Sequence, residues 1–250
     1  MEVEHAATAL LPMYSGLCST SKFPRRDKAG WAGKLPFMQE NGGTSLSEIS
    51  FVALDTETTG LSARYCELLE VAAVRFDGAG NVMGRYAQLI DPCCHIAPEA
   101  TAVHGITNRM VAGKPTLDFV LPEFFEFLNA RESIVVIHNA SFDLSFLHAA
   151  SRRLGNRCPA HPVVDSLQLA RKRLRELHSH RLDVLVAHFS VGDGVEHRAA
   201  GDAEMLRRIF LKMIAGNPCI GTLQELQLAT RFRSFGPPQV LAPRRVVVRG

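Results

Sequence analysis

The sequence predicts an α/β fold with a mixed β-sheet flanked by helices, because a run of strands comes first and strands alternating with helices come second. Three apolar segments precede any long helix, and they have the length and composition of strands over residues 51–55, 71–76 and 82–90. The turn signal Asp77-Gly78-Ala79-Gly80 lies between the last two. Strands in direct succession favour antiparallel pairing, so the sheet is expected to begin as a meander.

The rest of the chain alternates between helices and strands. Pro115 precedes a helix whose apolar positions share one face: Leu117, Val120, Leu121, Phe124, Phe125 and Leu128. After it the pattern predicts a strand at 134–137, a helix at 141–154, a short strand at 163–164, and helices at 166–177, 181–189 and 201–215. Helices that alternate with strands in this way are expected to cover the sheet.

Composition places the chain among ordinary globular proteins. Its 250 residues are 46% hydrophobic and 21% charged, which is enough for one sizeable core. No apolar run approaches the ~20 residues of a membrane helix, so no membrane association is expected. The six cysteines form no CxxC pair and no zinc-type spacing, which favours reduced thiols in a cytoplasmic or nucleoid-like compartment.

Three segments are predicted along the chain. Residues 1–48 show no sustained period and are broken by proline and glycine, so they are expected to be a poorly ordered leader or linker, with organelle targeting as the alternative. Residues 49–215 form the domain. Residues 216–250 form a basic tail, in which five arginines and no acid occur from Arg231 onward. A flexible arm that contacts phosphates and a solvated tail are both compatible with that charge.

Asp55-Thr56-Glu57 is the most informative motif, and it follows the apolar run Phe51-Val52-Ala53-Leu54. In an extended chain, residues i and i+2 point the same way, so Asp55 and Glu57 aim two carboxylates at one volume while Thr56 faces away. Two like charges held so near each other raise the electrostatic free energy unless a cation lies between them. Oxygen ligands at this spacing suit a hard divalent ion such as Mg²⁺ or Mn²⁺.

Two further motifs place acids after a strand and at the start of a helix. Strand 134–137 leads into His138-Asn139-Ala140-Ser141-Phe142-Asp143, and His197-Arg198-Ala199-Ala200-Gly201-Asp202 opens the last long helix. Taken singly, Ser141 and Asp202 are equally explained as helix caps.

These motifs, in this order, resemble those of the DnaQ-like (DEDD) superfamily of 3′-to-5′ exonucleases, in its histidine-bearing DEDDh branch. The segment His104-Gly105-Ile106-Thr107 fits the HGIT element of that superfamily, and residues 165–171 and 179–182 resemble the proofreading domains of PolC-type polymerases and of the DNA polymerase III epsilon subunit. The resemblance covers roughly residues 49–215. It implies the ribonuclease-H-like form of the predicted sheet, in a single domain with flexible tails.

The resemblance also implies two bound ions, Mg²⁺ or Mn²⁺, and a general base. The implied metal ligands are Asp55, Glu57, Asp143 and Asp202, with Asp55 shared by both ions. The implied base is His197, since histidine titrates near neutrality and can accept a proton from the attacking water.

A second set of residues is implied to contact the 3′-terminal nucleotide: Thr56, Thr58, Thr59, His104, Ile106, Asn139 and Phe142. Ile106 would wedge against a base and Phe142 would stack on one, although both are equally explained as core residues. Asn139 would bind the sugar or simply tie down the turn between strand and helix.

The predicted function is a metal-dependent 3′-to-5′ exonuclease that releases nucleoside 5′-monophosphates from single-stranded or frayed DNA 3′ ends, in proofreading, repair or turnover. An RNA 3′ end is the alternative substrate, because the sequence does not specify the pocket that would meet a 2′-hydroxyl. The alternative of another class is a catalytically silent module that binds 3′ ends, or a polymerase accessory subunit. A polymerase or a sliding clamp is the partner that such a subunit implies.

Overall fold

The computed structural model describes residues 43–192, 197–215, 220–230 and 232–235. Most of the predicted leader and the predicted basic tail beyond residue 235 lie outside these residues. The four cysteines in the described part are free thiols. Within the same residues, no helix is long and apolar enough to cross a membrane.

In the described part of the chain, six strands form one mixed sheet: β1 (Ser50–Thr58), β2 (Leu68–Asp77), β3 (Val82–Leu89), β4 (Ile134–Ile137), β5 (Pro162–Asp165) and β6 (Arg233–Ser234). Their order across the sheet is β3-β2-β1-β4-β5-β6. The first three strands pair antiparallel, as the meander pattern predicted. Strands β1, β4 and β5 run parallel, and β6 closes the far edge antiparallel to β5.

Helices cover this sheet: α1 (Pro98–His104), α2 (Asn108–Val111), α3 (Leu117–Asn129), α4 (Ser141–Leu154), α5 (Ser166–Arg173), α6 (Leu182–Phe189), α7 (Ala199–Ala215) and α8 (Leu223–Thr230). Helix α5 ends four residues earlier than the predicted residue 177, because Leu174 leaves the helical region. The mixed sheet with flanking helices confirms the predicted fold class.

Strand β1 is the centre of the fold, because each of its faces supports a different apolar cluster. Val52 and Leu54 pack with α3 and α4 on one side, whereas Phe51 and Ala53 pack with α5, α6, α7 and α8 on the other. All four side chains are fully buried. A strand that is covered on both faces has no polar face, which explains the uninterrupted apolar run that precedes Asp55.

The ordered domain includes residues on both sides of the predicted limits of 49 and 215. Leu46 is buried, and its N–H donates to the carbonyl of Gly221 over 3.1 Å. Phe235 is fully buried, and its ring meets that of Phe125 edge-on at 6.3 Å. Short segments from the predicted leader and tail therefore complete the two apolar clusters, although neither carries a long periodic pattern.

The parallel arrangement of β1 and β4 determines where the acidic motifs meet. Their carboxyl ends lie side by side at one edge of the sheet. Asp55 and Glu57 occupy the end of β1, and Asp143 lies in the first turn of α4, which follows β4. In open α/β sheets this edge is the usual position of a ligand site.

Arg75 on β2 joins the sheet to the end of α3. Its guanidinium donates to the carbonyls of Phe127, Leu128 and Arg131 and, over 2.5 Å, to the Ser133 hydroxyl. The residue is only 6% exposed, and burial lowers the pKa of its side chain. A cation next to the last carbonyls of a helix also complements the helix dipole.

Replacing Arg75 by methionine should lower the free energy of unfolding by roughly 2–4 kcal/mol, because several buried acceptors lose their donor at once. Urea denaturation of the metal-free protein measures this change. The matched control is Arg85→Met on β3, whose exposed guanidinium pairs with Glu204 at 2.9 Å, and which should cost less than about 1 kcal/mol. Equal losses in both variants would contradict the structural importance of the Arg75 network.

Candidate active site

Three carboxylates converge at the carboxyl end of β1. Asp55 and Glu57 lie on the face of the strand that α7 covers, and Asp202 in the first turn of α7 approaches them from above. One oxygen from each of the three lies within 4.8 Å of the others. The spacing of Asp55 and Glu57 in the sequence predicted this shared orientation, and the packing of α7 adds the third acid.

Asp143 reaches the same region from the opposite face of β1. It is 3% exposed, and its Oδ1 accepts a hydrogen bond from the Thr56 hydroxyl over 2.7 Å. Thr56 faces away from Asp55 and Glu57, as the alternation of a strand requires. Its hydroxyl orients Asp143 and so connects Thr56 to the acidic cluster, and the predicted contact of Thr56 with a nucleotide remains a prediction.

Burial raises the pKa of every carboxyl group in this cluster, and repulsion from other members of the cluster adds to the shift for Asp55 and Glu57. Burial raises the pKa of Asp55 well above its usual value, and repulsion from Asp143 and Asp202 adds to it. Burial, followed by the charges of Asp202 and Glu70, raises the pKa of Glu57 to about 8. So many acids in one partly buried volume favour the binding of a cation.

The two acids on helices show the same direction of shift. Burial raises the pKa of Asp143 to about 7, although the hydrogen bond from Thr56 opposes the change. Burial raises the pKa of Asp202 to about 6, although the nearby charge of His197 opposes it.

The donor set fits a hard divalent cation. The three converging ligand atoms are all carboxylate oxygens, which Mg²⁺ and Mn²⁺ prefer over softer metals. Oδ1 of Asp202 is buried and has no hydrogen-bond partner within the described part of the chain. A buried carboxylate oxygen without a donor is costly, and a cation at this position would remove that cost.

His197 lies two residues before α7 and is exposed to solvent. It borders a cavity of about 580 Å³ that also reaches Asp202. The structure therefore brings the predicted base and one predicted metal ligand to the same opening.

The opposite wall of this cavity is rich in cationic and polar side chains. It is formed mainly by the β4–α4 turn and by the segment between α5 and α6, and it includes His138, Asn139, Arg171, His178, Ser179, His180, Arg181 and Asp183. Arg181 pairs with Asp183 at 3.2 Å, and His180 Nε2 donates to the Leu174 carbonyl over 2.8 Å. Asp202 of the acidic cluster thus shares this cavity with Arg171 and Arg181, whose side chains suit anionic groups.

Glu70 is a site residue that the sequence reasoning missed. It is buried on β2 and caps α7 by accepting a hydrogen bond from the Ala199 N–H over 3.1 Å. Asp202 does not cap this helix, because it lies inside the first turn, where its N–H makes a helical hydrogen bond to the Arg198 carbonyl. In the sequence, Glu70 is distinguished as an acid inside the otherwise apolar segment Leu68-Leu69-Glu70-Val71. In the structure it lies directly opposite Glu57 in the hairpin.

The second predicted cap is also absent. Ser141 is the first residue of α4, and Ala140 precedes the helix without a side-chain hydrogen bond. The Ser141 hydroxyl instead contacts Asn139 Oδ1 over 3.4 Å.

The threonines after Glu57 shape the loop that follows β1. The Thr58 hydroxyl donates to the Gly60 carbonyl over 2.6 Å, and Thr59 Oγ1 accepts from the Glu67 N–H over 2.9 Å. Both hydroxyls therefore bond within the loop, and their predicted contacts with a nucleotide remain predictions.

His104 and Ile106 lie deeper than the nucleotide contacts predicted for them require. His104 is 4% exposed, its Nδ1 accepts from the Ile106 N–H over 3.0 Å, and burial lowers the pKa of its ring. Ile106 is fully buried against Leu69, Ile96 and Val111. The α1–α2 connection turns the Ile106 side chain into a small apolar cluster, as expected for a core residue, and its contact with a base remains a prediction.

Asn139 and Phe142 flank the start of α4. Asn139 is exposed beside the cavity and adopts a left-handed conformation with φ of 63°, which asparagine tolerates better than most residues. Phe142 is half-buried, and its ring lies 5.1 Å from that of Phe146 at the edge of the core. Asn139 is thus placed for a ligand contact, whereas Phe142 combines partial exposure with a core contact.

Comparison with known proteins identifies the family of the chain. The exonuclease (RNase_T) family model matches residues 52–210. The chain is 36% identical over 180 residues to a PolC-type DNA polymerase III of Oceanobacillus iheyensis, covering 72% of this chain and 12% of that protein. It is 39% identical over 193 residues to a putative bifunctional exonuclease/endonuclease protein of Mycobacterium tuberculosis, covering 73% and 30%.

A solved structure extends the comparison to the fold. Exonuclease X in complex with 5′ overhanging duplex DNA matches with a TM-score of 0.52 and 26% identity, over 70% of this chain and 99% of that one. The chain spans only a small part of the PolC-type relatives, so the similarity concerns one domain of those proteins. The chain belongs to the exonuclease family, in the DnaQ-like group that its acidic motifs indicated.

Proposed function

We propose that this domain is a metal-dependent 3′-to-5′ exonuclease that removes nucleoside 5′-monophosphates from single-stranded or frayed DNA ends. The convergence of Asp55, Glu57 and Asp202 carries this proposal. Three carboxylates in one small volume, with a histidine and a cationic wall beside them, suit phosphodiester hydrolysis better than simple binding.

Asp55, Glu57, Asp143 and Asp202 would hold two Mg²⁺ or Mn²⁺ ions. Such ions neutralise phosphate oxygens and stabilise the attacking and leaving oxygens of an in-line displacement. Thr56 keeps Asp143 oriented through its 2.7 Å hydrogen bond. Burial of these acids keeps the site partly shielded from water, which strengthens electrostatic interactions within it.

His197 would accept the proton of the attacking water. Its exposed position at the cavity mouth leaves the ring able to exchange that proton with solvent. His197→Ala should therefore keep the metal ligands while losing the base.

The cavity supports an unpaired terminal nucleotide as the substrate. Its volume of about 580 Å³ is typical of a small-ligand site, so a frayed strand end enters more easily than a duplex. The match to DNA polymerase III and the DNA in the Exonuclease X complex favour DNA. RNA is the second candidate, and a polymerase is the partner that the PolC-type relatives favour.

Degradation of matched 5′-labelled DNA and RNA single strands tests the activity. With Mg²⁺ or Mn²⁺ we expect a ladder that shortens from the 3′ end, faster on DNA, and no ladder in EDTA. Asp55→Ala should abolish the ladder while circular dichroism shows an intact fold, because the shared metal ligand is lost. Absence of cleavage by the folded wild type on both strands would favour the silent 3′-end-binding module. A ladder from Asp55→Ala would exclude the proposed metal site.

Without metal, the protein should lose stability as the pH rises from about 5 to about 8. The folded-state pKa is about 8 for Glu57 and about 7 for Asp143, whereas unfolded carboxyl groups titrate near pH 4. The folded state therefore holds more protons in this window, so the free energy of unfolding falls as pH increases.

Calorimetry in EDTA measures this pH dependence. Asp143→Asn should reduce the slope because an amide cannot ionise, whereas Asp118→Asn, an exposed change on α3, should leave it unaltered. Saturating Mg²⁺ should flatten the slope. A melting temperature that rises with pH across this range would contradict the assignment of the raised pKa values.

The cationic wall should contribute to strand binding through Arg171, which is exposed and lines the cavity. Arg171→Ala should weaken binding and reduce the slope of log affinity against log salt by about 0.7, the value for one single-strand phosphate contact. Fluorescence anisotropy of a labelled DNA strand in EDTA measures both quantities. The control is Lys172→Ala, since Lys172 on the same helix donates to the Ala229 carbonyl over 2.6 Å instead. An equal loss of slope in both variants would show a diffuse rather than a local effect.

A further inference from the structure

Glu70 lies beside the acidic cluster without belonging to it. It is the cross-strand partner of Glu57 in the β1–β2 hairpin, and opposite residues of an antiparallel pair point to the same face of the sheet. Its side chain is only 4% exposed. A buried carboxylate in this position needs donors of its own.

Both oxygens of Glu70 are used by groups at the start of α7. Oε1 accepts from Arg198 Nη2 over 2.8 Å, and Oε2 accepts from Arg198 Nε over 3.0 Å. Oε2 also accepts from the backbone N–H of Ala199 over 3.1 Å. The arginine–carboxylate pair is bidentate, and the negative charge lies at a helix N-terminus. Both features are favourable, so this contact holds β2 and α7 together strongly.

The contact lies between two residues of the proposed active site. His197 immediately precedes Arg198 in the chain, and the Arg198 carbonyl accepts the Asp202 N–H over 2.9 Å. One residue therefore connects the proposed base to the helical turn that carries a proposed metal ligand.

Small side chains allow α7 to approach β2 closely at this end. Ala199 and Ala203 pack against Ala72 and Val74, which follow Glu70 on the same face of the strand. The apolar contact sets the distance between helix and strand. The polar contact at Glu70 then determines the position of the first turn of α7 along β1 and β2.

We propose that Glu70 and Arg198 form a positioning pair that sets His197 and Asp202 relative to Asp55 and Glu57. The pair acts through the backbone of α7 and does not touch the substrate. A role of Glu70 as a further metal ligand is disfavoured, because three N–H donors already occupy its oxygens. This inference rests on the proposed nuclease activity, whose reacting groups the pair would align.

Glu70→Gln tests the pair with little change in shape. The amide oxygen still accepts from the Ala199 N–H, but the amide nitrogen faces the Arg198 guanidinium and the ion pair is lost. We expect kcat to fall about 10- to 100-fold, the usual effect of losing a group that orients metal ligands. KM for the DNA strand should stay within about twofold, because the cationic wall is unchanged.

The matched control is Glu204→Gln on the same helix. Glu204 accepts from Arg85, Arg207 and Arg208, and it borders neither the acidic cluster nor the cavity described above. This variant should lose comparable stability and keep the wild-type kcat. Similar losses of kcat in Glu70→Gln and Glu204→Gln would overturn the inference, because general destabilisation would then explain both.

A conservative exchange at the other partner separates positioning from stability. Arg198→Lys keeps a cation within reach of Glu70 and should recover part of the kcat that Arg198→Met loses. Equal kcat values for the two variants, measured well below their melting temperatures, would contradict a positioning role for the ion pair.

Hydrogen–deuterium exchange of the metal-free protein provides a readout that needs no activity. In Glu70→Gln the amides of residues 199–203 should exchange faster, while those of residues 206–213 keep their protection. Unchanged exchange over 199–203, or wild-type kcat in Glu70→Gln, would overturn the inference. Failure of the wild type to cleave any strand would remove the proposed function, and the exchange result would still decide whether the pair holds the start of α7.

Discussion

Partial burial of carboxyl groups in one small volume, together with the repulsion between them, is the constraint on which the rest of this structure depends. Asp55, Glu57, Asp143 and Asp202 come from a strand and two helix starts, and each has a raised pKa. A chain gains no stability from collecting such groups. Their proximity therefore depends on apolar packing elsewhere. A bound cation would lower the electrostatic free energy of the cluster.

The apolar packing that opposes this repulsion is concentrated on β1. Val52 and Leu54 hold the cluster of α3 and α4, and Phe51 and Ala53 hold the cluster that contains α7. Each fully buried side chain of the size of Val52, Leu54 or Phe51 contributes about 1.5–3 kcal/mol. Because the same strand carries Asp55 and Glu57 near its carboxyl end, the element that holds both apolar clusters together also positions two of the repelling acids.

Polar contacts then orient the acidic side chains that apolar packing brings together. Thr56 orients Asp143 on one face of β1, and Glu70 engages Arg198 and Ala199 on the other. Each contact comes from a residue next to, or directly opposite, one of the metal-ligand candidates. Thr56 and Glu70 thus belong to the same β1–β2 hairpin as the first two acids, so the register of the sheet determines where these supporting contacts are made.

The sequence by itself determined the fold class, the position of β1 and the orientation of Asp55 and Glu57, because alternation along a strand and apolar periodicity are local properties of the chain. Tertiary structure alone decided the rest. Glu70 became the cap of α7, Ile106 turned into an apolar cluster, and residues 44–48, 220–230 and 232–235 joined the domain. Each of these outcomes depends on a contact between segments far apart in sequence, and no pattern within either segment specifies its partner.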